Sequence, residues 1–261
     1  MNVLLIDLGN TALKWCLPGD EDTPHTVVHR DRKGFLSTLY KDWLTVKPDF
    51  ALGCYVTAPD LALSATNFFN DHGVRWRWVR SQERFEAADY ALLNCYEQSS
   101  QLGSDRWHAM IGAVDAYRGQ SLLVVQMGTA TTVDSVLYED HNVYRFIGGR
   151  IAPGPTLMGQ SLVHGIQSLH GALGAYASQP TKTMDAISTG IVDAQVGLVV
   201  QAYLQLRQIS KKQVLVVLAG GAARVIYPYL QTAVPKLVVR HNLVLRGLSA
   251  LVATEEFKGW S

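Results

Sequence analysis

The chain has 261 residues, enough for two domains of ordinary size, and 48% of them are hydrophobic, as in a globular protein with a substantial core. The formal net charge of +1 gives no bulk electrostatic reason to bind nucleic acid or an anionic membrane. Three widely separated cysteines lack the spacing of a metal site and fit a reducing compartment. No uninterrupted apolar run approaches the roughly 18 residues that a membrane helix needs. We therefore expect a cytoplasmic protein that binds neither nucleic acid nor a membrane.

Residues 3–15 predict two strands joined by a tight turn. An apolar run ends at Asp7, a Gly-Asn pair follows, and an alternating run comes next. Asp7 is then expected at the end of a buried strand, and Gly9 lets backbone N–H groups approach a ligand. Thr11 and Lys14 follow within reach of the same anion, a combination that suits a nucleotide phosphate with its magnesium ion. An ordinary N-terminal hairpin is an equally good interpretation, because short glycine motifs often match by chance.

Strands alternate with helices through the rest of the first half, which favours an α/β fold with a parallel or mixed sheet. The predicted strands cover 26–28, 50–56 and 74–79, and the predicted helices cover 34–45 and 59–69. Arg75, Arg77 and Arg80 alternate with two tryptophans. This pattern fits a stacking surface for nucleic acid, but the alternation favours a strand with one solvent-exposed face.

A polar segment over 81–102 predicts a loop with a short helix, and it contains Tyr96. The next residues, Gly103 to Arg106, lead into a run of apolar residues at helical spacing. Asp105 is therefore expected at or just inside a helix N-terminus. Ser104 or Asp105 could simply cap that helix, or the carboxylate could do chemistry at the helix start.

A second half begins near residue 120 and repeats the pattern of the first. Another buried strand ends in a polar residue, a spacer, a glycine and a small polar residue, followed by an alternating run. Gln126 corresponds to Asp7, Gly128 to Gly9, and Thr129 to the asparagine of the first turn. We interpret this as a degenerate internal duplication. It predicts related domains at 1–118 and 119–261, facing each other across a cleft that could hold a polyphosphate.

The rest of the second half continues the alternation. The predicted elements are a strand over 143–147, a glycine-dense turn over 148–154, a helix from Pro153 to about residue 170, a loop over 171–182, a helix that begins at Thr183, a strand over 214–218, a helix to about residue 230 and a last helix over 243–256. Gly220 and Gly221 follow a strand, where backbone could approach an adenine or ribose, although packing alone is the commoner reason for such glycines.

The motifs of several large enzyme classes are missing. The chain has no G-x-x-x-x-G-K-[ST], G-x-G-x-x-G, H-E-x-x-H or G-x-S-x-G sequence. Phosphoryl transfer without a P-loop remains. It needs phosphate-binding amides, a metal near a carboxylate, a base for the acceptor hydroxyl and a cation for the moving phosphoryl group. Asp7 and the two turns could supply the first two, and Asp105 and Arg106 the others.

Together these motifs resemble those of the type III pantothenate kinases, in the acetate kinase, sugar kinase, Hsp70 and actin superfamily. The resemblance covers residues 3 to about 225, and its motifs are Asp7-x-Gly9-Asn10-Thr11-x-x-Lys14, Tyr96 with Gly103-x-Asp105-Arg106, Gly128-Thr129-Ala130-x-Thr132-x-Asp134, Gly148-Gly149-x-Ile151-x-Pro153-Gly154, Thr183-x-x-Ala186-Ile187-x-x-Gly190 and Gly220-Gly221. It implies an α/β fold with two related ribonuclease H-like, actin-like ATPase domains, mixed sheets flanked by helices, and a cleft. It also implies a homodimer that phosphorylates pantothenate with ATP to 4'-phosphopantothenate, the first step of coenzyme A biosynthesis.

The resemblance assigns roles to individual residues. Asp105 would be the general base for the pantothenate hydroxyl, Arg106 would be its catalytic neighbour, and Asp7 would lie near Mg²⁺, in direct contact or through water. The residues implied to bind ATP are Asp7, Leu8, Gly9, Asn10, Thr11, Lys14, Thr129, Gly220 and Gly221. The residues implied to bind pantothenate, close to the subunit interface, are Tyr96, Gly103, Ser104, Asp105, Arg106 and Thr183.

Gln126 departs from the family pattern. Similar enzymes usually have an Asp at this position, and it helps to hold K⁺ or NH₄⁺. An amide offers a carbonyl oxygen without charge. We therefore hypothesise that this chain binds the monovalent ion weakly or does without it.

Two other functions are compatible with the residues. One is a catalytically weak or inactive homologue that acts as a regulatory or transcriptional accessory protein. The other is a kinase of the same superfamily with a different small hydroxyl acceptor. The presence of Asp7, Lys14, Asp105 and Arg106 argues against a decayed site. Tyr96 and Thr183 favour pantothenate, through the resemblance alone.

Overall fold

The computed structural model describes residues 1–29, 35–56, 59–166 and 173–260. Within them, strands and helices are mixed along the chain, as the α/β prediction requires. The strands are β1 (Val3–Leu8), β2 (Ala12–Cys16), β3 (His25–Val28), β4 (Phe50–Tyr55), β5 (Arg75–Trp78), β6 (Arg84–Glu86), β7 (Ala91–Asn94), β8 (Ser121–Met127), β9 (Ala130–Glu139), β10 (Val143–Pro153), β11 (Val214–Ala219) and β12 (Leu237–Val239). The helices are α1 (Phe35–Val46), α2 (Pro59–Asp71), α3 (Ser104–Ala116), α4 (Pro155–Gly165), α5 (Thr183–Ile209), α6 (Ala223–Ala233), α7 (Leu243–Val252) and α8 (Glu255–Lys258).

The first of two compact units comprises Met1–Arg118, Glu139–Arg145 and Asn242–Ser261. Its sheet has the order β3-β2-β1-β4-β5, with β1 antiparallel to β2 and parallel to β4. Strand β1 is an almost continuous run of buried apolar residues, as expected for a strand covered on both faces. Strands β6 and β7 also belong to this unit and pair with each other in antiparallel orientation.

Helices α3 and α7 pack backbone against backbone in the first unit. A Cβ atom on Gly112 would overlap the carbonyl oxygen of Leu243, and one on Gly247 would overlap that of His108. Only glycine fits at both positions, because it has no Cβ. Helix α7 also packs against β1, so the helix that begins with Ser104 and Asp105 is held against the central strand of the unit by its neighbour.

The second unit comprises Gly119–Tyr138 and Phe146–His241. Its strands follow the order β10-β9-β8-β11-β12, with β8 antiparallel to β9 and parallel to β11. The first unit has the same arrangement, so the two sheets repeat one topology. Division of the chain into domains 1–118 and 119–261 remains a proposal, and the compact units differ from it in placing 139–145 and 242–261 with the first unit.

Helix α5 lies in the core of the second unit and packs against β8 and β11. Among the described residues it is the helix that is long and apolar enough to cross a membrane by length and composition. Helix α5 contains no long uninterrupted apolar run, because polar residues such as Asp193 interrupt its sequence. The buried Gln195 amide donates to the Pro153 carbonyl (2.9 Å) and accepts from the Thr131 hydroxyl (2.6 Å). A core helix of this kind passes the same membrane test.

Several predicted elements are wrong in type or extent. The segment over 81–102 contains β6 and β7 besides a short 3₁₀ turn, and β12 was not predicted. Residues 148–153 continue β10 rather than forming a turn, and α4 begins at Pro155 instead of Pro153. The last predicted helix is divided at Thr254, whose hydroxyl accepts from the Phe257 N–H and caps α8. The predictions for residues 34 and 167–172 lie outside the described residues.

Candidate active site

The β1–β2 hairpin brings Asp7 and Lys14 side by side. The two residues are opposite each other in the strand register, and directly opposed residues of antiparallel strands point to the same face. The Gly9 N–H donates to the Ala12 carbonyl (3.1 Å) and closes the turn, with Asn10 exposed at its tip. A carboxylate and an ammonium group therefore flank a turn with a glycine at its start.

Strand β4 and helix α3 bring Asp105 to the same end of the sheet. Asp7 is paired with Cys54 in the parallel register of β1 and β4. The Ser104 hydroxyl donates to the Tyr55 carbonyl (3.2 Å), which attaches the first residue of α3 to the end of β4. Asp105 is the next residue, and its charge acts on Asp7.

The environment of the two carboxylates favours their protonated forms. Burial raises the pKa of Asp7 to about 7, with the Lys14 charge opposing this shift and the Asp105 carboxylate adding to it. Burial also raises the pKa of Asp105. The Arg106 N–H, which donates to Asp105 Oδ1 at 2.8 Å, and the Arg106 charge oppose this second shift. Two half-buried carboxylates with perturbed pKa values at one sheet end are typical of a functional site.

Asp105 is not the N-cap residue of α3. That position is occupied by Gly103, which has no side chain to cap the helix. A Cβ on Gly103 would lie 2.7 Å from Asp105 Oδ1. The absence of a side chain at Gly103 therefore leaves room for the Asp105 carboxylate.

Arg106 and Tyr96 form a second polar pair next to Asp105. The Arg106 guanidinium is buried, donates to the Tyr96 hydroxyl at 3.1 Å, and lies 5.7 Å from the centroid of the tyrosine ring. The Tyr96 N–H donates to Asn94 Oδ1 (3.1 Å), and the Asn94 amide in turn donates to the Ser99 carbonyl (3.2 Å). These bonds hold the Tyr96 ring in a defined position beside the start of α3.

The second unit contains the corresponding hairpin between β8 and β9. Gln126 pairs with Thr132 at the positions equivalent to Asp7 and Lys14, and the Gly128 N–H donates to the Ala130 carbonyl (2.9 Å) to close the turn. Thr129 is at the tip of this turn. No charged side chain takes part in this pairing, in contrast to the first hairpin.

Two further glycines pack against the second turn. The Gly154 N–H donates to the Thr129 carbonyl (2.9 Å), and a Cβ on Gly154 would overlap the carbonyl of Gly128. Gly220 has a φ of +97°, and a Cβ there would overlap the Met127 carbonyl. Three chain segments therefore meet here through main-chain atoms.

The remaining predicted site residues lie in different settings. Leu8 is buried in the core, so only its backbone could contact a ligand. Gln126 is half-buried and is paired with Ala219, one residue before Gly220. Gly221 is exposed just ahead of α6, and Thr183 is exposed at the first position of α5.

A resident metal cluster is not part of the described structure. Across the ranges 1–29, 35–56, 59–166 and 173–260 there is no group of three or more His, Cys, Asp or Glu side chains that could hold a metal ion. Mg²⁺ in phosphoryl-transfer sites is usually held by one or two carboxylates together with substrate phosphates. Asp7, with Asp105 close by, fits that requirement, and a divalent ion would arrive with the nucleotide.

Sequence reasoning missed Asn242. Its side-chain Oδ1 accepts a hydrogen bond from Lys14 Nζ at 2.9 Å, although 228 positions separate the two residues. The signal available in the sequence was an asparagine directly before an apolar helical run, which predicts a helix start and nothing about Lys14.

Comparison with known proteins identifies the family. Residues 3–205 match the type III pantothenate kinase family model. A type III pantothenate kinase from Azoarcus sp. strain BH72 is 32% identical over 97% of this chain and 91% of its own. A protein described as a conserved Baf family transcriptional activator from Campylobacter jejuni superposes with a TM-score of 0.57 at 18% identity, covering 98% of this chain and 99% of its own. A ROK family protein from Streptococcus pneumoniae TIGR4 superposes at 0.53 with 9% identity, covering 100% of both chains.

The structural likenesses show that the fold is that of the actin-like ATPases and sugar kinases, as predicted. They concern the fold alone, because the identities are low. Sequence similarity, which extends over nearly the whole chain, also identifies the family. The chain belongs to the type III pantothenate kinase family.

Proposed function

We propose that this chain transfers the terminal phosphoryl group of ATP to the hydroxyl of pantothenate, forming 4'-phosphopantothenate in the first step of coenzyme A biosynthesis. The names of relatives that match almost the whole chain support this activity. The observation that carries the assignment is the group of Asp7, Lys14 and Asp105 at one end of the first sheet. A base, a carboxylate for a metal and a cation are what phosphoryl transfer requires.

Asp105 is the proposed general base. Its carboxylate accepts the proton of the pantothenate hydroxyl as the oxygen attacks phosphorus. Burial raises its pKa, which makes it a stronger proton acceptor, while the Arg106 N–H and charge keep the ionised form accessible. The base therefore combines raised basicity with contacts that favour its ionised form.

Arg106 is the proposed catalytic cation, and with Tyr96 it orients pantothenate. The guanidinium is held by the Tyr96 hydroxyl, and its positive charge suits a carboxylate or a phosphoryl oxygen. Gly103 leaves space at the Asp105 carboxylate. The proposed pantothenate set is completed by the Ser104 backbone and by Thr183.

The proposed ATP contacts come from both glycine turns. Lys14 and the backbone of residues 8–11 bind phosphate oxygens in the first, and Thr129, Gly220 and Gly221 contribute contacts from the second. A divalent ion, proposed to be Mg²⁺, supplies charge neutralisation between phosphate oxygens when it is bound. Asp7 would hold it, directly or through water, once its carboxyl group is ionised.

The finer partner assignments are also proposals. Gln126 stands where a carboxylate would help to hold K⁺ or NH₄⁺, so we propose little dependence on either ion. We further propose a cytoplasmic homodimer that uses neither nucleic acid nor a membrane. Light scattering on the purified protein gives the oligomeric state, and a monomeric mass at micromolar concentration would contradict the dimer.

An ADP-release assay with a panel of acceptors tests the activity directly. Purified protein with ATP and Mg²⁺ is expected to turn over with pantothenate and to yield the phosphorylated product by mass spectrometry. Other small alcohols in the panel serve as matched controls. Turnover with a different acceptor would assign another substrate, and nucleotide binding without any turnover would contradict the kinase.

The alternative of an inactive regulatory homologue is not favoured. The fold-level likeness to a protein described as a transcriptional activator is at 18% identity and carries no function. The first unit retains Asp7, Lys14, Asp105 and Arg106 in mutual proximity. A site that had lost its activity would not need this combination of charges.

A further inference from the structure

Asn242 lies between Lys14 and the turn that follows β2. Lys14 Nζ donates to Asn242 Oδ1 at 2.9 Å, and Asn242 Nδ2 donates to the backbone carbonyl of Glu21 at 2.9 Å. An ammonium group can only donate and a carbonyl can only accept, so these two partners determine which way the amide faces. We propose that Asn242 is a positioning residue that holds the Lys14 ammonium group ready for the ATP phosphates. This inference rests on the proposed role of Lys14.

The backbone conformation at position 242 favours asparagine. Its φ of 57° and ψ of 36° are left-handed, a conformation that asparagine adopts more readily than most residues other than glycine. The position needs one acceptor for Lys14 and one donor for Glu21, and a side-chain amide provides both without charge and on separate atoms. Glutamine has the same amide but lacks the backbone preference.

The surroundings of Asn242 are fixed by other contacts of the first unit. Arg246, one helical turn later, forms an ion pair with Asp22, which adjoins Glu21. The Glu21 carboxylate accepts from the Gly19 N–H at 2.8 Å. The turn after β2 is therefore attached to α7 at two successive residues, and α7 packs tightly against α3, the helix that carries Asp105.

A neutral partner keeps Lys14 useful for binding an anion. The amide oxygen orients the ammonium group without cancelling its charge, and two of the three ammonium donors remain for phosphate oxygens. A lysine side chain has four rotatable bonds, so an unrestrained Lys14 would lose considerable rotamer freedom when the nucleotide binds. Holding it beforehand reduces that loss.

Nucleotide binding in Asn242→Gly tests the inference. Glycine removes the side chain but accepts the left-handed backbone. We expect the dissociation constant and the KM for ATP with Mg²⁺ to rise about tenfold, the effect of losing a hydrogen bond to a charged group. The KM for pantothenate is expected to stay unchanged, because Asn242 bonds to Lys14 and to the Glu21 backbone, and neither is a proposed pantothenate contact. Asn142→Gly is the matched control, since Asn142 has nearly the same φ of 58° and belongs to a short 3₁₀ turn.

A double-mutant cycle with Lys14→Met separates positioning from a general loss of structure. In the Lys14→Met background, Asn242→Gly is expected to have no further effect on ATP binding. An equal effect in both backgrounds would overturn the inference, even if the variant were less stable. Asn242→Asp, which keeps the backbone preference but adds a charge that competes with phosphate for Lys14, is also expected to weaken ATP binding.

The outcomes for the inference and for the proposed function are distinguishable. Lys14→Met with weakened ATP binding and Asn242→Gly with unchanged binding would reject Asn242 alone. Unchanged ATP binding in Lys14→Met would reject the role of Lys14, and the inference with it. A parent protein that binds ATP but phosphorylates no acceptor would reject the kinase, while the effect of Asn242→Gly on binding would still decide the positioning role.

Discussion

The β1–β2 and β8–β9 hairpins occupy equivalent places in two sheets of the same strand order but present different chemistry. In the first, Asp7 is paired with Lys14; in the second, the equivalent pair is Gln126 and Thr132. The first hairpin thus carries a carboxyl group and an ammonium group beside its turn. The second carries two neutral side chains.

Backbone takes the place of charge at the second turn. Gly154 and Gly220 both approach so closely that a Cβ on either would overlap the turn between Met127 and Thr129. The comparison indicates that duplication preserved the topology while the two copies diverged in function: the first supplies charged groups, and the second supplies main-chain groups that tolerate no side chain nearby.

The largest expected effect is on kcat and comes from removing a charged group of the first unit. Asp105→Asn keeps the shape of the side chain but removes the base, so we expect kcat to fall by roughly 10² to 10⁴. The KM for ATP should change much less. Asp193→Asn, at an exposed position of α5, is the control. Steady-state kinetics with pantothenate provide the test, and a kcat close to that of the parent would exclude Asp105 as the base.

Substitution of a glycine at the second turn is expected to lower the stability of the folded protein. Gly220→Ala meets both a positive φ and the Met127 carbonyl, so the free energy of unfolding should fall by about 2 kcal/mol or more. Gly221→Ala is the matched control, because a Cβ there would meet no atom of the described residues within 4 Å. Its effect should be within about 0.5 kcal/mol. Similar denaturant midpoints for the two variants would argue against close packing at Gly220.

Asp7 should make the first hairpin sensitive to pH in a way that Gln126 cannot. The pKa of Asp7 is about 7 in the folded protein against 3.8 for an unperturbed carboxyl group, so the folded state binds more protons between these values. The free energy of unfolding of the ligand-free protein should therefore fall as pH rises from about 4 to about 7.

In Asp7→Asn this part of the decline should disappear, while the exposed Asp193→Asn control should retain it. Unfolding in urea at a series of pH values measures the difference. Parallel pH profiles for the parent and Asp7→Asn would contradict the assignment. Since a divalent ion needs the ionised carboxylate, the affinity of the parent for ATP with Mg²⁺ should increase over the upper part of this range.

The smallest expected effect concerns monovalent cations. With Gln126 in place of a carboxylate, the parent should react at similar rates with K⁺, with Na⁺ and with neither. Gln126→Asp restores a charge at the position equivalent to Asp7 and should introduce a preference for K⁺. Initial rates in the three buffers provide the comparison, and a steep K⁺ requirement of the parent would refute the idea.

The fold could be predicted where periodicity was strong. The two hairpins, the long α5 and the buried strands β4, β8 and β11 carry continuous or regularly spaced apolar residues. Strand β6 could not be predicted in this way, because it has three residues and only Phe85 among them is buried. Residues 148–153 were misassigned because their glycines indicate a turn, although β10 continues through them.

The residues of the candidate site also differ in how far local sequence patterns could predict them. Asp7, Lys14, Tyr96, Asp105 and Arg106 could be proposed from the sequence because each belongs to a short motif that resembles a known family. Asn242 has no such motif. Its contact with Lys14 depends on the packing of α7 within the first unit, and local sequence contains no information about a partner so distant along the chain.

The contact of Gly112 with Leu243 also has a consequence for synthesis of the protein on the ribosome. Helix α3 emerges well before α7, and at about 5–20 residues per second the interval is on the order of ten seconds. During that time the surface of α3 that will receive Gly247 has no partner. The first unit therefore completes its core after translation of the second, although most of its residues are made earlier.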